Sequence, residues 1–311
     1  MIDTVYILSA GHSGSTLLNL LLGSHSKATA VSELTHLPKN IAHNEICTCG
    51  STVLDCQVWR EVIRRVSAEL CFDIASDPYA LQLGFIGDGR SIYRTHLGPR
   101  YRALWKVRRA IVYFQQISGL SSPLWMRRTF EIAQSNRRLM YDAVRSVSGA
   151  SVIVDASKEY LQGISLYLGS PKTTRLVLLQ RDGRAVFYSN LRRGFSRSES
   201  LMAWRNYYRH ALPVIRRQVH PAHVLTVRYE DLVTDVNREL RRLCAFVGLE
   251  FEPGMLDPEA KQQHITSGND MRMNRRAPIR LDATWRSALS PEQLAYFCRH
   301  AQALNRALGY D

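Results

Sequence analysis

A glycine- and hydroxyl-rich segment, Ala-Gly-His-Ser-Gly-Ser-Thr at residues 10–16, directly follows an apolar run near the start of the chain. Glycine lets the backbone turn tightly, and the free N–H groups of such a turn, together with the N-terminus of a following helix, bind phosphate-like anions. The phosphate loop of many kinases and NTPases ends in Gly-Lys-Ser/Thr, but Gly14 is followed here by Ser15. The segment therefore predicts an anion site that lacks the nucleotide-binding Lys. Its candidate ligand residues are Gly11, His12, Ser13, Gly14, Ser15 and Thr16.

An arginine and a serine form a second candidate anion site. Arg181 follows the apolar run RLVLLQ at residues 175–180, and Ser189 stands eight residues further on. The guanidinium group is a planar fork that suits a phosphate, and a serine hydroxyl adds one more donor. Each residue alone is common at such a place, but the pair indicates a second phosphate contact.

The elements that must position these residues alternate between strands and helices. Continuous apolar runs rich in β-branched residues predict buried parallel strands, and segments with helical periodicity follow most of them. We therefore predict an α/β fold, a P-loop-like open parallel β-sheet flanked by helices. The predicted strands are residues 4–9, 28–32, 151–155, 175–180 and 224–229, and the predicted helices are residues 15–22, 185–193, 201–218 and 235–246.

A basic and mostly helical segment at about residues 60–148 separates the second and third predicted strands. No internal repeat or low-complexity linker accompanies it. We interpret it as a helical insertion into a single domain that spans residues 1–311.

Several polar features fall just after predicted strands. In open α/β sheets, ligands bind at the carboxyl ends of the strands. The glycine-rich segment, Glu33, Lys158, Arg181 and Tyr229 each occupy such a position. We therefore expect all five features to meet in one crevice.

These motifs resemble those of the sulfotransferases that use 3′-phosphoadenosine 5′-phosphosulfate (PAPS). The segment Ser-Gly-Ser-Thr at residues 13–16 matches the family's 5′-phosphosulfate loop, with His12 at a position that is usually Lys or Arg. Arg181 and Ser189 match the spacing of the family's 3′-phosphate motif. The resemblance implies that both anion sites bind one PAPS molecule.

Two later segments extend the resemblance over nearly the whole chain. Tyr229 lies in Arg-Tyr-Glu-Asp-Leu, which is similar to a family segment whose tyrosine lies near the adenine. Residues 264–272 are similar to a late glycine-containing loop that closes over the nucleotide. By this resemblance, Asn269 and Arg272 are further cofactor-binding candidates.

The resemblance also implies catalytic roles. Glu33 lies 21 residues after His12 and resembles the general base of the tyrosylprotein branch of the family. His36 is the alternative base, because the small-molecule branch uses a histidine. Lys158, in Asp-Ala-Ser-Lys, resembles a lysine that contacts the sulfuryl group and the bridging oxygen. His12 would donate a neutral N–H to the leaving oxygen, or act as a cation if its pKa is raised. With an ordinary pKa of about 6.5 it would be mostly neutral at slightly alkaline pH.

The expected activity is transfer of a sulfuryl group from PAPS to a hydroxyl or amine by in-line displacement. No metal is required for it, because Arg, Lys and backbone N–H groups meet the charge of the donor. The acceptor, whether glycan, lipid, phenol or another small molecule, carries no signature in the sequence. Two alternatives remain open: a small-molecule or nucleoside kinase of the P-loop type, and a non-catalytic basic protein that binds polyanions or nucleic acid.

The chain is strongly basic. Lys and Arg number 41 against 27 Asp and Glu, and residues 90–145 alone hold twelve basic against two acidic side chains. Such a field attracts anions, but no nucleic-acid-binding motif is present, so a nucleic-acid partner is not expected. No apolar run approaches the roughly 20 residues of a membrane helix, and no signal-peptide pattern is visible. We therefore expect a cytoplasmic protein without a membrane span, and the sequence does not indicate its oligomeric state.

Three of the six cysteines, Cys47, Cys49 and Cys56, lie close together in the sequence. They resemble half of a metal site, and a fourth ligand would have to be His43 or a residue far along the chain. Six cysteines in 311 residues do not make a disulfide framework. Reduced thiols in an ordered loop are therefore the simpler interpretation.

Overall fold

The computed structural model describes residues 1–84, 99–118, 124–274 and 278–311. Within these residues, five parallel strands form one open sheet in the order β2-β3-β1-β4-β5. The predicted α/β fold with a parallel sheet is confirmed. The strands are β1 (Thr4–Leu8), β2 (Ala28–Ser32), β3 (Val152–Lys158), β4 (Thr174–Gln180) and β5 (Val224–Arg228).

Helices cover both faces of the sheet. They are α1 (Ser15–Gly23), α2 (Leu37–Ala42), α3 (Gln57–Leu70), α4 (Pro99–Ser118), α5 (Leu124–Ser148), α6 (Tyr160–Gly169), α7 (Gly183–Leu191), α8 (Arg197–Gln218), α9 (Tyr229–Thr234), α10 (Val236–Val247), α11 (Trp285–Ala288) and α12 (Pro291–Ala307). Capping boxes begin two of the long ones, with Ser196 and Glu199 at α8 and with Ser290 and Gln293 at α12. The predicted insertion contributes α3, α4 and α5, while its residues 85–98 and 119–123 lie outside the described residues.

Alternate side chains of the central strand, β1, point into two separate apolar cores. Tyr6 and Leu8 point into a large apolar cluster with α3, α5, α6, α8 and α12. Val5 and Ile7 point into a second cluster with α1 and α10. Because both faces are covered, all five residues of β1 are buried. This explains why the strands are continuous apolar runs in the sequence rather than alternating ones.

Strand β3 is longer than predicted and ends irregularly. Its register against β1 shifts between the pairs Tyr6–Asp155 and Leu8–Lys158, and the register of β2 against β3 shifts beside Ser32. Bulges of this kind bend a strand and re-aim its side chains, and they are frequent next to active sites. Apolar periodicity alone does not reveal them.

None of the helices in the described part of the chain is both long enough and apolar enough to cross a membrane.

Candidate functional site

The glycine-rich segment forms a turn between β1 and α1, as predicted. Gly14 has a φ of 91° and stands immediately before α1. A Cβ atom at this position would lie 2.4 Å from the ring of Tyr229. Gly14 is therefore required both by its left-handed backbone and by the close approach of Tyr229. Ser13 is fully buried, so its side chain does not reach the surface of the turn.

Arg181 is buried at the carboxyl end of β4, between the turn and Tyr229. Its Nη1 donates to the carbonyl oxygen of His12 at 3.0 Å, and its guanidinium lies 4.3 Å from the centroid of the Tyr229 ring. Its Nη2 donates to Asp282 Oδ2 at 3.1 Å. Stacking and hydrogen bonding thus fix the guanidinium plane, and an acidic side chain occupies one of its donors.

Helix α7 begins two residues after Arg181 and contains Ser189. Asp182 caps this helix by accepting from the backbone N–H of Arg184 at 2.9 Å. A Cβ at Gly183 would lie 2.8 Å from the ring of Trp204, so α7 packs too closely for a larger residue there. Each residue of the Arg-Asp-Gly sequence at positions 181–183 therefore has its own structural role.

Glu33 and Lys158 form an ion pair at the edge of the site, with 2.5 Å between Lys158 Nζ and Glu33 Oε1. Both side chains are mostly buried, at 15% and 23% exposure for Glu33 and Lys158. Lys158 itself has a φ of 69°, and Ser32, which precedes Glu33, has a φ of 55°. Non-glycine residues adopt this region at a cost of about 1–3 kcal/mol and concentrate at functional sites. The bulged ends of β2 and β3 therefore bring the two side chains together.

A buried polar network supports that irregular backbone from the side of the insertion. Arg137 on α5 forms a buried ion pair with Asp155 on β3, and Tyr141 donates to the same carboxylate at 2.6 Å. Asp155 Oδ1 also accepts from the backbone N–H of Ser157 at 2.7 Å. Ser157 Oγ in turn accepts from the backbone N–H of Thr35 at 3.2 Å. The network thus connects α5, the bulge of β3 and the segment that follows Glu33.

His12 lies in a strongly cationic environment. Its φ is 61°, which again is the left-handed region. Burial is the largest cause that lowers the pKa of His12 from 6.5 to about 4, and the positive charges of Arg193, Lys158 and Arg181 lower it further. The expectation of an ordinary pKa was therefore wrong, because burial and the neighbouring protein charges keep His12 a neutral hydrogen-bonding group at neutral pH.

His36, the alternative base, lies outside the cavity but next to Glu33. Its Nε2 is 3.5 Å from Glu33 Oε2, and its side chain is 47% exposed. The half-exposed imidazole therefore lies beside the carboxylate of Glu33. Of the two candidate bases, only Glu33 lines the cavity.

The late loop packs directly on the glycine-rich turn. The backbone N–H of Asn269 donates to Thr16 Oγ1 at 3.1 Å, and Ser32 Oγ donates to the carbonyl oxygen of Ser267 at 2.6 Å. Gly268 has a φ of 118°, and a Cβ there would lie 3.1 Å from Thr16 Oγ1. Asn269 lines the cavity, whereas Arg272 faces away and donates from Nη1 to the carbonyl oxygen of Ile46 at 2.8 Å.

These elements enclose a cavity of about 740 Å³. Most of the residues singled out in the sequence line it, which are Gly11, His12, Gly14, Ser15, Thr16, Glu33, Lys158, Arg181, Ser189, Tyr229 and Asn269. Ser13 and Arg272 do not. The sequence analysis missed the lining residues Leu17, Arg192, Arg193 and Asp282, and in the late loop it singled out Asn269 but not Gly268, Asp270 or Met271. The two arginines were detectable as the basic pair three and four residues after Ser189, but nothing in the sequence marks Asp282.

The chain is similar to known sulfotransferases. A family model described as "Sulfotransferase family" matches residues 93–253, which is slightly more than half of the chain. No curated protein matches the chain. The solved sulfotransferase domain from the Synechococcus PCC 7002 olefin synthase is 19% identical, covers 100% of this chain and 96% of its own, and has a TM-score of 0.50.

Two further solved structures are similar at lower scores. The sulfotransferase domain from the curacin biosynthetic pathway is 17% identical, with coverages of 100% and 99% and a TM-score of 0.47. Mouse sulfotransferase SULT7A1, complexed with PAP, is 10% identical, with coverages of 99% and 88% and a TM-score of 0.45. At such identities a structural likeness indicates a shared fold only. The family match rests on the sequence itself, and it shows that the chain belongs to the sulfotransferase family.

Proposed function

We propose that the protein transfers a sulfuryl group from PAPS to a hydroxyl or amine of an acceptor molecule, with Glu33 as the general base. One observation carries this proposal: the glycine-rich turn, the Arg181–Ser189 pair and the Glu33–Lys158 pair all line one cavity. An anion cradle, a second phosphate contact and an acid–base pair are the groups that sulfuryl transfer requires.

The cavity fits a donor with phosphate groups at both ends. Gly14 lets the ring of Tyr229 pack directly against the turn, because a Cβ there would lie 2.4 Å from that ring. Among the described residues, the cationic side chains that line the cavity are Lys158, Arg181, Arg192 and Arg193. We assign the turn, residues 11–16, to the 5′-phosphosulfate and Arg181 with Ser189 to the 3′-phosphate. Tyr229 and Asn269 are assigned to the remaining contacts with the nucleotide, and Arg272 contributes by fixing the late loop.

The donor supplies a sulfuryl group that is activated by its bond to a phosphate oxygen. As the acceptor oxygen or nitrogen bonds to sulfur, Glu33 accepts the acceptor proton, and the bond between sulfur and the 5′-phosphate oxygen breaks. Adenosine 3′,5′-bisphosphate is the other product. Lys158 and the neutral N–H of His12 stabilise the negative charge that develops on the departing oxygen. Positioning and electrostatics therefore account for the catalysis, as in phosphoryl transfer.

The proposal is tested with ³⁵S-labelled PAPS and cell-extract fractions that contain lipid, glycan, protein or small metabolites. Label should move to one acceptor class, with stoichiometric release of adenosine 3′,5′-bisphosphate. Glu33→Gln should retain binding of the bisphosphate but reduce turnover by about 10²–10⁴-fold, the usual contribution of a positioned base.

His36→Gln is the matched control, because His36 contacts Glu33 from outside the cavity. It should keep most of the activity. If Glu33→Gln is active and His36→Gln is not, the base is His36. If neither variant affects transfer, the proposed role of this corner of the site is wrong.

A further inference from the structure

Four potential metal ligands meet beside the cavity, away from the proposed catalytic groups. The three sulfur atoms of Cys47, Cys49 and Cys56 and a ring nitrogen of His264 all lie within 4.8 Å of one another. Cys56 Sγ is 3.1 Å from His264 Nδ1. In a tetrahedral zinc site with Zn–S bonds of about 2.3 Å, neighbouring sulfurs are about 3.8 Å apart. The cluster therefore has the size of a closed four-ligand site.

The first two ligands lie on a tight hairpin. The backbone N–H of Cys47 donates to the carbonyl oxygen of Ser51 at 2.9 Å, and that of Gly50 donates to the carbonyl oxygen of Cys47 at 2.9 Å. Gly50 has a φ of 89°, which glycine adopts without strain. Cys56 follows as the residue before α3. Backbone hydrogen bonds, independent of any metal, thus hold the three sulfurs on one side of this segment.

The fourth ligand comes from a distant part of the chain and is held there by its own contacts. Trp59 Nε1 donates to the carbonyl oxygen of His264 at 2.8 Å. The backbone N–H of Thr48 donates to the carbonyl oxygen of Ile265 at 3.0 Å, and the backbone N–H of Ile265 donates to the Thr48 hydroxyl at 3.0 Å. The imidazole is therefore presented to the sulfurs by fixed backbone on both sides. His43, which the sequence offered as a nearer fourth ligand, is exposed and does not join the cluster.

Burial distinguishes these cysteines from the two exposed thiols, whereas the buried Cys244 does not belong to the cluster. Cys47 and Cys56 are completely buried, and Cys49 and His264 are half-buried. Cys71 and Cys298, by contrast, are exposed. Three thiols packed against one imidazole in a shielded site form a soft ligand set that favours zinc over magnesium or calcium.

We propose that Cys47, Cys49, Cys56 and His264 bind one zinc ion in a closed tetrahedral site. Binding replaces three thiol protons, which pass to the solvent, and leaves the imidazole as a neutral ligand. Four protein ligands fill the coordination sphere, so the ion is structural and has no open position for a substrate.

The zinc ion fixes segments that pack beside the cavity. His264 is the first residue of the late loop, and Asn269 of the same loop contacts Thr16 of the glycine-rich turn. Arg272, further along the loop, donates to the carbonyl oxygens of both Ile46 and Ile265, each next to a ligand. The metal therefore joins the hairpin, the start of α3 and the late loop at one point.

Metal analysis of the untagged full-length chain, expressed with zinc in the medium and purified without chelators, tests the proposal. We expect about one zinc per chain by inductively coupled plasma mass spectrometry. Cys56→Ser and His264→Ala should lose the metal, whereas Cys71→Ser and Cys298→Ser, the exposed controls, should keep it. These measurements do not depend on sulfotransferase activity, so they can fail without affecting the proposed function.

Two measurements on the wild-type chain keep the test valid if the ligand variants do not fold. Reconstitution with Co²⁺ should give the visible bands of a tetrahedral site with thiolate ligands. Thiol titration of the unfolded chain with chelator present should detect all six cysteines. Zinc-free protein whose six thiols are all free, or protein in which two thiols have been lost to a disulfide, would overturn the proposal.

Discussion

In the proposed assignment, His12 takes the place of a cation in an anion-binding turn, and its surroundings keep it neutral. Burial and three nearby positive charges lower its pKa to about 4. Phosphate groups bound beside it would raise this pKa, because negative charge favours the protonated form. A neutral imidazole still offers one N–H donor, which is enough to stabilise a developing oxyanion.

We therefore expect His12→Ala to lower kcat by about tenfold or more, because one donor to the leaving oxygen is lost. His12→Asn keeps a neutral donor and should retain more activity than His12→Ala. His12→Lys, which restores the cation usual at this position, should also remain active. The measurement is kcat at saturating donor and acceptor for all four proteins. Equal rates for His12→Ala and wild type would leave Lys158 and the backbone N–H groups as the only donors.

Single residues differ in how far the sequence reveals them. Arg181 and Ser189 were found because their spacing is short and their chemistry is specific. Asp282 and His264 were missed as partners of Arg181 and Cys56, because each pair is separated by about a hundred or more residues. Only the folded chain brings such residues together.

At the scale of secondary-structure elements, a side chain on the loop before α11 competes with the proposed 3′-phosphate for a donor of Arg181. Asp282 on this loop accepts a hydrogen bond from Arg181 Nη2 at 3.1 Å. Its side chain is 52% exposed, and exposed ion pairs contribute only about 0–1 kcal/mol. A phosphate group can therefore displace this carboxylate from Arg181.

Asp282→Asn should accordingly bind adenosine 3′,5′-bisphosphate about two- to fivefold more tightly than wild type, since the competing charge is removed. Arg181→Ala should weaken binding by about 2–4 kcal/mol, and Ser189→Ala by about 1 kcal/mol. Isothermal titration calorimetry measures all three. Unchanged affinity in Arg181→Ala would refute the assignment of the 3′-phosphate, whereas weaker binding in Asp282→Asn would mean that Asp282 orients the arginine.

The helical insertion supports the site through one buried ion pair. Arg137 on α5 and Asp155 on β3 are 1% and 0% exposed. Removing one partner of such a pair leaves a buried charge uncompensated, which costs about 3–5 kcal/mol, whereas removing both charges is often nearly neutral.

We expect Arg137→Met to lower the free energy of unfolding by about 3–5 kcal/mol. The double variant Arg137→Met/Asp155→Asn should recover a large part of this loss, because no uncompensated charge stays buried and the single amide oxygen of Asn can still accept from the backbone N–H of Ser157. Urea unfolding of both variants and of wild type gives the comparison. A double variant as unstable as the single one would show that packing, and not the buried charge, dominates at this position.

The strands were predicted more accurately than their ends. Apolar runs identified all five strands, because parallel strands buried on both faces contrast sharply with their surroundings. The extension of β3 to Lys158 and its bulge depend on contacts with Arg137, Tyr141 and Thr35, which are remote in sequence. Apolar periodicity carries no information about such contacts.

At the scale of the whole molecule, the arrangement of parts was less predictable than their identity. The carboxyl ends of parallel strands converge on one crevice as a consequence of the topology alone, and this expectation predicted most of the residues that line the cavity. The strand order and the covering of the turn by residues 264–272 follow from packing across the chain. Local sequence does not determine them.

The excess of positive charge also affects the folded chain as a whole. The formal net charge is +14, and a like-charged surrounding disfavours further protonation. Burial is the largest cause that lowers the pKa values of four histidines, and nearby cations add to it in each case. These residues are His12, His36, His210 and His223.

A histidine whose pKa is lowered by folding binds its proton more readily in the unfolded chain. The unfolded state therefore takes up more protons as the pH falls below about 6.5, and stability decreases in that direction. We expect the free energy of unfolding, measured by urea titration, to fall steadily from pH 6.5 to pH 5, above the range in which most carboxyl groups titrate. His12→Asn removes the histidine whose pKa is lowered to about 4, and it should show a smaller decrease over the same interval. A free energy of unfolding that is constant or increases as the pH falls to 5 would contradict this account. If the free energy of unfolding of His12→Asn and of wild type changed equally with pH, His12 would be protonated as readily in the folded protein as in the unfolded chain.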